Sequence, residues 1–475
     1  MSKTNIFNTY PRTFWVANTI ELVERWAWYG FFMLFANYLT KSTDLGGLGF
    51  TQSQKGLIMG IGTGILYFLP VITGSIADKY GYKRVLILAF VIYASAFAVF
   101  PMFDSFTGVF IAYLYLALGA ALFKPIISAT IAKTTDESNS SVGFGIFYMM
   151  VNVGAFFGPM VTMFFKKDSY DIVFHISAVV ITLNFILLLL YKEPGREKNS
   201  LSVREMVFQV IRNIWKVILD FKFLLFLVIV AGFWTMYNQL FFTLPVFIEQ
   251  WVDTTGMYAF FVNYIPFIST NYAKDGIMDA EFITNFDALY IIAFQIVVST
   301  MVMKWKPMKS MTTGFVINSI GMALTLYTQN VVFLLVSMFI FAVGEMMGSP
   351  KITEYIGLIA PKDKKALYMG FSFIPVFFGN VFAGIVAGPV YQSLSDKDSF
   401  VHQFAALKNL DLADGLTKHE YFMEVATKMN MSETQLTNYL WHEYHPFNIW
   451  IVIFTIGIVA AIALNIYNRK VIKKQ

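Results

Sequence analysis

Long apolar stretches alternate with short polar ones along nearly the whole chain. Several of them run for roughly twenty residues, the helix length that crosses about 30 Å of hydrocarbon. Windows of this length predict about twelve membrane-spanning helices in two groups of about six. The first group is placed near 14–39, 53–76, 84–103, 108–132, 142–165 and 170–191, and the second near 223–249, 286–304, 311–328, 331–357, 366–391 and 447–468.

The composition agrees with this interpretation. Of the 475 residues, 57% are hydrophobic and 14% are charged, whereas about 25% are charged in a typical soluble domain. Cysteine is absent from the sequence, which excludes disulfides and thiolate metal sites. The first apolar stretch contains Glu21, Glu24 and Arg25 and is not followed by a small-residue cleavage site. We therefore expect it to be retained as a span.

The formal net charge of +5 comes from basic residues in alternate connections between the spans. Short cytoplasmic loops collect Lys and Arg, so this pattern predicts a protein of the cytoplasmic membrane with both termini in the cytoplasm. Because these residues set orientation, they do not imply nucleic-acid binding. The basic residues concerned are Lys79, Lys83, Arg84, Lys304, Lys306, Lys309, Lys362, Lys364, Lys365, Arg469, Lys470, Lys473 and Lys474.

The spacing of the spans predicts a first bundle at 1–191, a basic cytoplasmic linker at 192–222 and a second bundle at 223–475. Two six-helix bundles of this kind are typical of the major facilitator fold, in which they rock about a central site. The predicted fold class is therefore an all-α membrane protein of about twelve transmembrane helices. An extracytoplasmic insert at about 393–446 is predicted to form short amphipathic helices, and its pattern indicates no role.

The first predicted span carries three charges, Glu21, Glu24 and Arg25, on one helix face. Each charge at a membrane centre costs about 2.5 to 3.5 kcal/mol, so the three together cost about 8 to 10 kcal/mol unless they pair or face water. They could form a self-compensating cluster between helices, or they could form a proton or substrate site.

Two further charges lie inside later spans. Lys124 precedes Pro125 in the fourth span. Glu345 in the tenth precedes Gly348, Ser349 and Pro350, residues that could interrupt the helix at a site. The alternatives to function are a lysine that snorkels to an interface and a carboxylate packed at a helix end. The apolar residues that flank both charges favour function.

Several strings resemble motifs of the proton-coupled oligopeptide transporters, a branch of the major facilitator superfamily. The sequence ELVERWAWYG at 21–30 resembles the Glu-x-x-Glu-Arg signature of their first helix. The ordered set covers nearly the whole chain apart from the insert. The other matching strings are GSIADKYGYKR at 74–84, FKPIIS at 123–128, FGIFYMMVNVG at 144–154, FWTMYNQ at 233–239 and GEMMGSPKITEYIGLIAP at 344–361.

The resemblance implies a symporter that imports di- and tripeptides with protons by alternating access. It implies that the peptide amine is bound by Glu345 and the peptide carboxylate by Arg25 and Lys124. Its partners would be the peptide, protons and the lipid bilayer, with no cofactor, metal or nucleic acid, and it would function as a monomer. The resemblance assigns proton coupling to Glu21, Glu24, Arg25, Lys124 and Glu345, and substrate binding also to Tyr29, Tyr67, Asn152, Trp234, Asn238 and Ser349.

The chain departs from the family pattern at several positions. Phe32 and Asn238 stand where bacterial members carry an arginine and a glutamate, so both halves of an ion pair are replaced together. Trp28 and Ser372 also replace a tyrosine and a tryptophan of the family. The second hypothesis is therefore import of another small solute, such as nitrate or a metabolite.

Two other classes of protein fit the sequence less well. A membrane-embedded enzyme would need an activated nucleophile or a metal cluster in the bilayer. The histidines lie outside the apolar centres, and the pair His442 and His445 has no third ligand placed by the sequence. A channel would not need charged residues in both halves of a pseudo-symmetric chain.

Overall fold

The computed structural model describes residues 9–136, 139–166, 169–195, 219–325, 329–360 and 371–472, together with 368–369 and isolated positions between 204 and 215. Most of the predicted linker at 192–222 lies outside the described residues. Its boundaries therefore stay a prediction.

The first bundle is formed by six helical spans, the second of which is divided in two. Its helices are α1 (Arg12–Thr40), α2 (Gln52–Phe68), α3 (Pro70–Tyr80), α4 (Tyr82–Val99), α5 (Phe106–Lys133), α6 (Ser140–Lys166) and α7 (Asp171–Leu190). Helix α1 packs against α6 and α7, and α4 packs against α5 and α7.

The second bundle repeats this pattern with more interruptions. Helix α15 packs against α16, and α8 packs against α17 and α22. Its elements are α8 (Phe221–Tyr237), α9 (Gln239–Phe242), α10 (Leu244–Trp251), α11 (Thr255–Tyr264), α12 (Pro266–Asn271), β1 (Ala273–Lys274), β2 (Ile277–Met278), α13 (Ala280–Thr284), α14 (Phe286–Val302), α15 (Pro307–Leu324), α16 (Val331–Ile359), α17 (Ile374–Ile385), α18 (Tyr391–Leu394), α19 (Lys397–Leu407), α20 (Lys418–Lys428), α21 (Glu433–Tyr444) and α22 (Asn448–Tyr467).

The predicted spans correspond to these helices. Among the described residues, nine helical stretches are long and apolar enough to cross a membrane, and α2 with α3, bent by 42°, makes a tenth. Helix α15 and helix α1, which holds the three charges of the first span, complete the predicted twelve. The predicted multi-pass helical membrane protein is therefore confirmed.

The interruption that the sequence allows in the tenth span does not occur. Helix α16 continues through Gly348, Ser349 and Pro350 to Ile359. Pro350 lacks the N–H that would bond the Met346 carbonyl four residues earlier, and the Ser310 hydroxyl of α15 donates to the adjacent Met347 carbonyl at 2.8 Å. This bond ties α16 to α15 in the turn that the proline weakens.

The breaks occur elsewhere. The second span bends between α2 and α3 at Leu69, next to Pro70, and the seventh is divided at Asn238 and Thr243 into α8, α9 and α10. Residues 252–285, to which the sequence analysis assigned no structure, form two short helices, the hairpin β1–β2 and α13. The insert forms the helices α19, α20 and α21, as predicted.

The two ends of the bundles are distinguished by the insert. The end that carries α19, α20 and α21 is called the insert face. The C-terminal end of α1 lies at this face, as shown by the hydrogen bond that Lys418 of α20 donates to the Thr40 carbonyl at 3.4 Å. Helix α22 starts at the insert face, directly after the insert. The N-terminal end of α1 and the C-terminal end of α22 therefore lie at the opposite end of the bundles, which is called the terminal face.

Candidate functional site

The three charges of α1 form a compact buried network. Arg25 Nη2 lies 2.5 Å from Glu24 Oε2, and Arg25 Nε lies 3.2 Å from Glu21 Oε1. The Tyr93 hydroxyl of α4 donates to Glu24 Oε1 at 2.7 Å. Both oxygens of Glu24 are thus engaged, and its exposed fraction is 0%, whereas Glu21 is held through one oxygen at a longer distance. Of the two carboxylates, Glu21 is therefore the less tightly held.

Lys124 of α5 lies beside this network. Its Nζ is 4.1 Å from the centroid of the Tyr67 ring, and its charge acts on the Glu21 carboxyl. Arg25 Cζ is 5.9 Å from the centroid of the Tyr29 ring. The structure therefore brings together six of the predicted site residues from α1, α2 and α5, namely Glu21, Glu24, Arg25, Tyr29, Tyr67 and Lys124.

Glu345 of α16 is the carboxylate that the sequence predicts for the site in the second bundle. Its exposed fraction is 6%, and the Tyr237 hydroxyl of α8 donates to its Oε1 at 2.9 Å. Within the described chain its Oε2 has no hydrogen-bond partner. Tyr29 connects the two halves, because both Arg25 and Glu345 act electrostatically on its hydroxyl.

Sequence reasoning missed Tyr237 and Tyr93. Tyr237 lies in the FWTMYNQ string, where the predicted residues were Trp234 and Asn238. The Trp234 ring instead packs edge-on against Tyr237 at 5.0 Å and so supports the residue that reaches Glu345. Tyr93 carries no local signal, because a tyrosine in an apolar helix is most often a packing residue.

The remaining predicted residues are tied to their own helices. Asn152 Nδ2 donates to the Tyr148 carbonyl at 2.8 Å within α6. Ser349 is half-buried one turn after Glu345 in α16. Asn238 is buried at the end of α8, and its Nδ2 has no partner within the part of the chain that the structure describes. Their contact with a substrate stays a prediction.

Phe32 lies in an aromatic cluster between the bundles. Its ring stacks on Trp28 at 5.1 Å and lies 5.5 Å from Phe241 and 6.2 Å from Phe242. Phe241 and Phe242, which contact the Phe32 ring, lie in the turn after Asn238. An aromatic contact between the bundles therefore takes the place of the family's ion pair.

This cluster leads to a double-mutant prediction. Phe32→Arg alone or Asn238→Glu alone places an unpaired charge in a buried contact, at a cost of about 3 to 5 kcal/mol, so each should lower uptake at least tenfold. The double variant should recover because the charges satisfy each other. Uptake and surface expression of the three variants, with Phe32→Leu as the neutral control, measure the coupling. Additive losses would show that the two positions do not meet.

Charged and polar contacts join the two bundles at the insert face. Lys41 Nζ at the end of α1 lies 2.6 Å from Glu249 Oε1 of α10. Asn37 Nδ2 of α1 donates to Glu281 Oε1 of α13 at 3.0 Å. Lys55, fully buried in α2, donates through Nζ to the Phe242 carbonyl at 2.9 Å. The insert face is thus closed in this conformation.

The insert adds a second layer to this closure. Lys418 Nζ of α20 donates to the Phe50 carbonyl at 2.9 Å, just before α2. Asp396 Oδ1, just before α19, accepts from Gln52 Nε2 of α2 and from Gln250 Nε2 of α10, each at 3.0 Å. The insert therefore contacts both bundles where they meet. Within the described residues, groups of three or more His, Asp or Glu side chains suited to a metal are absent.

Comparisons with solved structures show the fold. A POT family transporter in complex with 5-aminolevulinic acid superposes with a TM-score of 0.71 over 97% of both chains at 17% identity. The peptide transporter POT in complex with sulfate superposes with a TM-score of 0.70 over 97% of this chain and 95% of that one, at 18% identity. The fold is thus that of the family whose motifs the sequence resembles.

Sequence comparisons agree. The uncharacterized MFS-type transporter YqjV of Bacillus subtilis is 24% identical over 328 residues, 68% of this chain and 74% of YqjV. Dipeptide and tripeptide permease A of Proteus mirabilis is 30% identical over 185 residues, so the match spans only 37% of either chain. The resemblance to the oligopeptide transporters is confirmed by these relatives together with the solved structures. The profile of the Major Facilitator Superfamily matches residues 20–269, which is more than half of the chain. The protein therefore belongs to that superfamily.

Proposed function

We propose that the protein is a proton-coupled symporter that imports short peptides, di- and tripeptides, by alternating access. It acts as a monomer in the cytoplasmic membrane, with the terminal face toward the cytoplasm and the insert face outside. Basic residues on the terminal side of the spans support this orientation, because cytoplasmic loops collect Lys and Arg.

The observation that carries the proposal is the division of charge between the bundles. Arg25 and Lys124 lie in the first bundle, and Glu345 lies in the second with one carboxylate oxygen unpartnered among the described residues. A short zwitterion fits between them, with its carboxylate toward the cations and its amine toward Glu345. Tyr29 and Tyr67 line this side and would accept varied side chains through their rings.

The closed insert face supports alternating access. A carrier closed outside releases its substrate inside, and it must break the Lys41–Glu249 and Lys55–Phe242 contacts to load again. Glu21 would take up its proton while the site faces outward and lose it when the site faces inward. Arg25 can then pair with the peptide carboxylate while Glu21 is neutral.

Import of another small solute is the second candidate. Phe32 and Asn238 replace the Arg–Glu pair, and one similar structure holds 5-aminolevulinic acid, which also carries an amine and a carboxylate. The test is proteoliposome uptake of a di- and tripeptide panel under an imposed pH gradient, with nitrate, amino acids and 5-aminolevulinic acid as comparisons. Peptide uptake that vanishes without the gradient supports the proposal, and uptake of another solute alone would overturn it.

Substitution of Glu345 should distinguish substrates by their amine. Glu345→Gln removes the charge that pairs with the ammonium group, which weakens binding by about 2 to 5 kcal/mol. Uptake of alanyl-alanine should fall at least tenfold, while uptake of N-acetylated peptide, which has no ammonium group for Glu345 to bind, should change little. Glu354→Gln is the matched control, because Glu354 is an exposed carboxylate on the same helix. Equal losses for both peptides would mean that Glu345 serves gating or protonation instead.

A further inference from the structure

Asp287 is a buried carboxylate to which neither the motifs nor the proposed function gives a role. It lies in the first turn of α14, its exposed fraction is 5%, and its Oδ1 has no hydrogen-bond partner within the described part of the chain. A buried acceptor without a donor is costly and calls for an explanation.

The packing of α14 shows where this carboxylate faces. Ile291, one turn later, packs with Ala342 and Met346 of α16 in one apolar cluster. Residues four apart share a helix face, so Asp287 continues this stripe toward α16. The Asp287 and Glu345 carboxyls accordingly interact electrostatically. Asp287 thus faces the substrate side of the second bundle.

The groups around the two carboxylates are phenols. Tyr237 of α8 and Tyr148 of α6 each interact electrostatically with both carboxyls, and Tyr290 on the helix of Asp287 interacts with Asp287. The Tyr237 hydroxyl occupies one oxygen of Glu345. In the first bundle, Arg25 is already bound by Glu21 and Glu24. One oxygen of each carboxylate, Asp287 Oδ1 and Glu345 Oε2, is left available.

A capping role for Asp287 is not favoured by the local backbone. Helix α13 ends at Thr284, and only Asn285, itself in helical conformation, separates it from α14. The Asn285 amide donates to the Glu281 carbonyl at 3.0 Å, so the chain continues almost without a break. This junction presents few free amide groups for a carboxylate to stabilise.

We propose that Asp287 and Glu345 form a two-carboxylate subsite for a substrate end that carries two ammonium groups. Within the proposed function, on which this inference rests, that substrate class is short peptides whose first residue is basic. Glu345 binds the α-ammonium group and Asp287 binds the side-chain ammonium group. Each previously unpartnered carboxylate oxygen then accepts a charge-assisted hydrogen bond.

The experiment compares first residues of graded length. Purified full-length protein in proteoliposomes takes up alanyl-alanine in competition with peptides in which diaminopropionic acid, diaminobutyric acid, ornithine or lysine precedes alanine. The wild type should prefer one of these basic peptides to alanyl-alanine by tenfold or more, and the best side-chain length reports the separation of the two carboxylates. Norleucyl-alanine, whose first side chain is close to lysine in length but uncharged, should not be preferred to alanyl-alanine.

Asp287→Asn should abolish this preference, a change of tenfold or more in relative affinity that corresponds to about 1.4 kcal/mol or more. It should leave alanyl-alanine uptake within about threefold of wild type, because alanyl-alanine has no side-chain ammonium group. Asp287→Glu should keep a preference but move it to a shorter side chain. Asp171→Asn is the matched control, since Asp171 is an exposed acid in the first turn of α7.

The outcomes separate this inference from the proposed function. Failure of the wild type to take up any peptide would overturn both. Uptake of alanyl-alanine without preference for a basic first residue, or a preference that survives Asp287→Asn, would overturn only the two-carboxylate subsite. If Asp287→Asn does not fold, the wild type alone still tests the two-carboxylate subsite. Equal uptake of the norleucine, ornithine and lysine peptides by the wild type would overturn it.

Discussion

Replacing Glu21 by glutamine should abolish uptake driven by a pH gradient while leaving substrate counterflow. Glutamine cannot gain or lose a proton, so the site no longer responds to the gradient, but it can still bind and exchange peptide. Uptake under an imposed gradient should fall more than tenfold, and counterflow without a gradient should stay within about threefold of wild type. Both are measured in proteoliposomes that contain the purified protein.

Glu24→Gln should lose gradient-driven uptake as well, with an additional loss of stability. Glu24 is fully buried between Arg25 and Tyr93, and removal of one partner from a buried ion pair costs about 3 to 5 kcal/mol. Its melting temperature in detergent should therefore fall, whereas that of Glu21→Gln should change less, because Glu21 makes one longer contact to Arg25. Undiminished gradient-driven uptake in both variants would contradict proton binding at this cluster.

The spans and their charges could be predicted because the bilayer imposes a large penalty on any exception. Glu21, Glu24 and Arg25 stand out in an apolar helix, and helical spacing alone places them on one face. Their network in the structure has that spacing, with Arg25 bound to residues one and four positions earlier. Lys124 and Glu345 could be found for the same reason.

Other features depend on neighbours that a single sequence does not reveal. The seventh span breaks at Asn238 without a proline there, whereas α16 continues through Pro350 with help from Ser310 of another helix. Asp287 lies at the edge of the predicted span 286–304. A charged residue at that position is typical of the membrane interface, so the sequence alone does not indicate a site there. Only the packing of α14 on α16 turns it toward Glu345.

The closure of the insert face depends on a glycine contact that leaves no room for side chains. Gly60 of α2 lies against Gly384 of α17, and a Cβ atom built at Gly384 would lie 2.7 Å from Gly60 Cα. Helices that approach this closely need small residues at the contact. Because the insert and the Lys41–Glu249 pair close over the same interface, a larger side chain at Gly384 should oppose the closed state as a whole.

Gly384→Val should therefore hold the transporter open at the insert face. An overpacked contact costs about 1 to 3 kcal/mol, which shifts the ratio of open to closed populations by about 5- to 140-fold. Uptake should fall accordingly while substrate still binds from outside. Since the sequence has no cysteine, Asn37→Cys supplies a single thiol that is buried when the face is closed. Its labelling by a membrane-impermeant reagent should rise in the Gly384→Val background. Gly145→Val is the matched control, because a Cβ atom at Gly145 has no described neighbour within 4 Å. Equal labelling and uptake in the two valine variants would show that this glycine contact does not control access from the insert face.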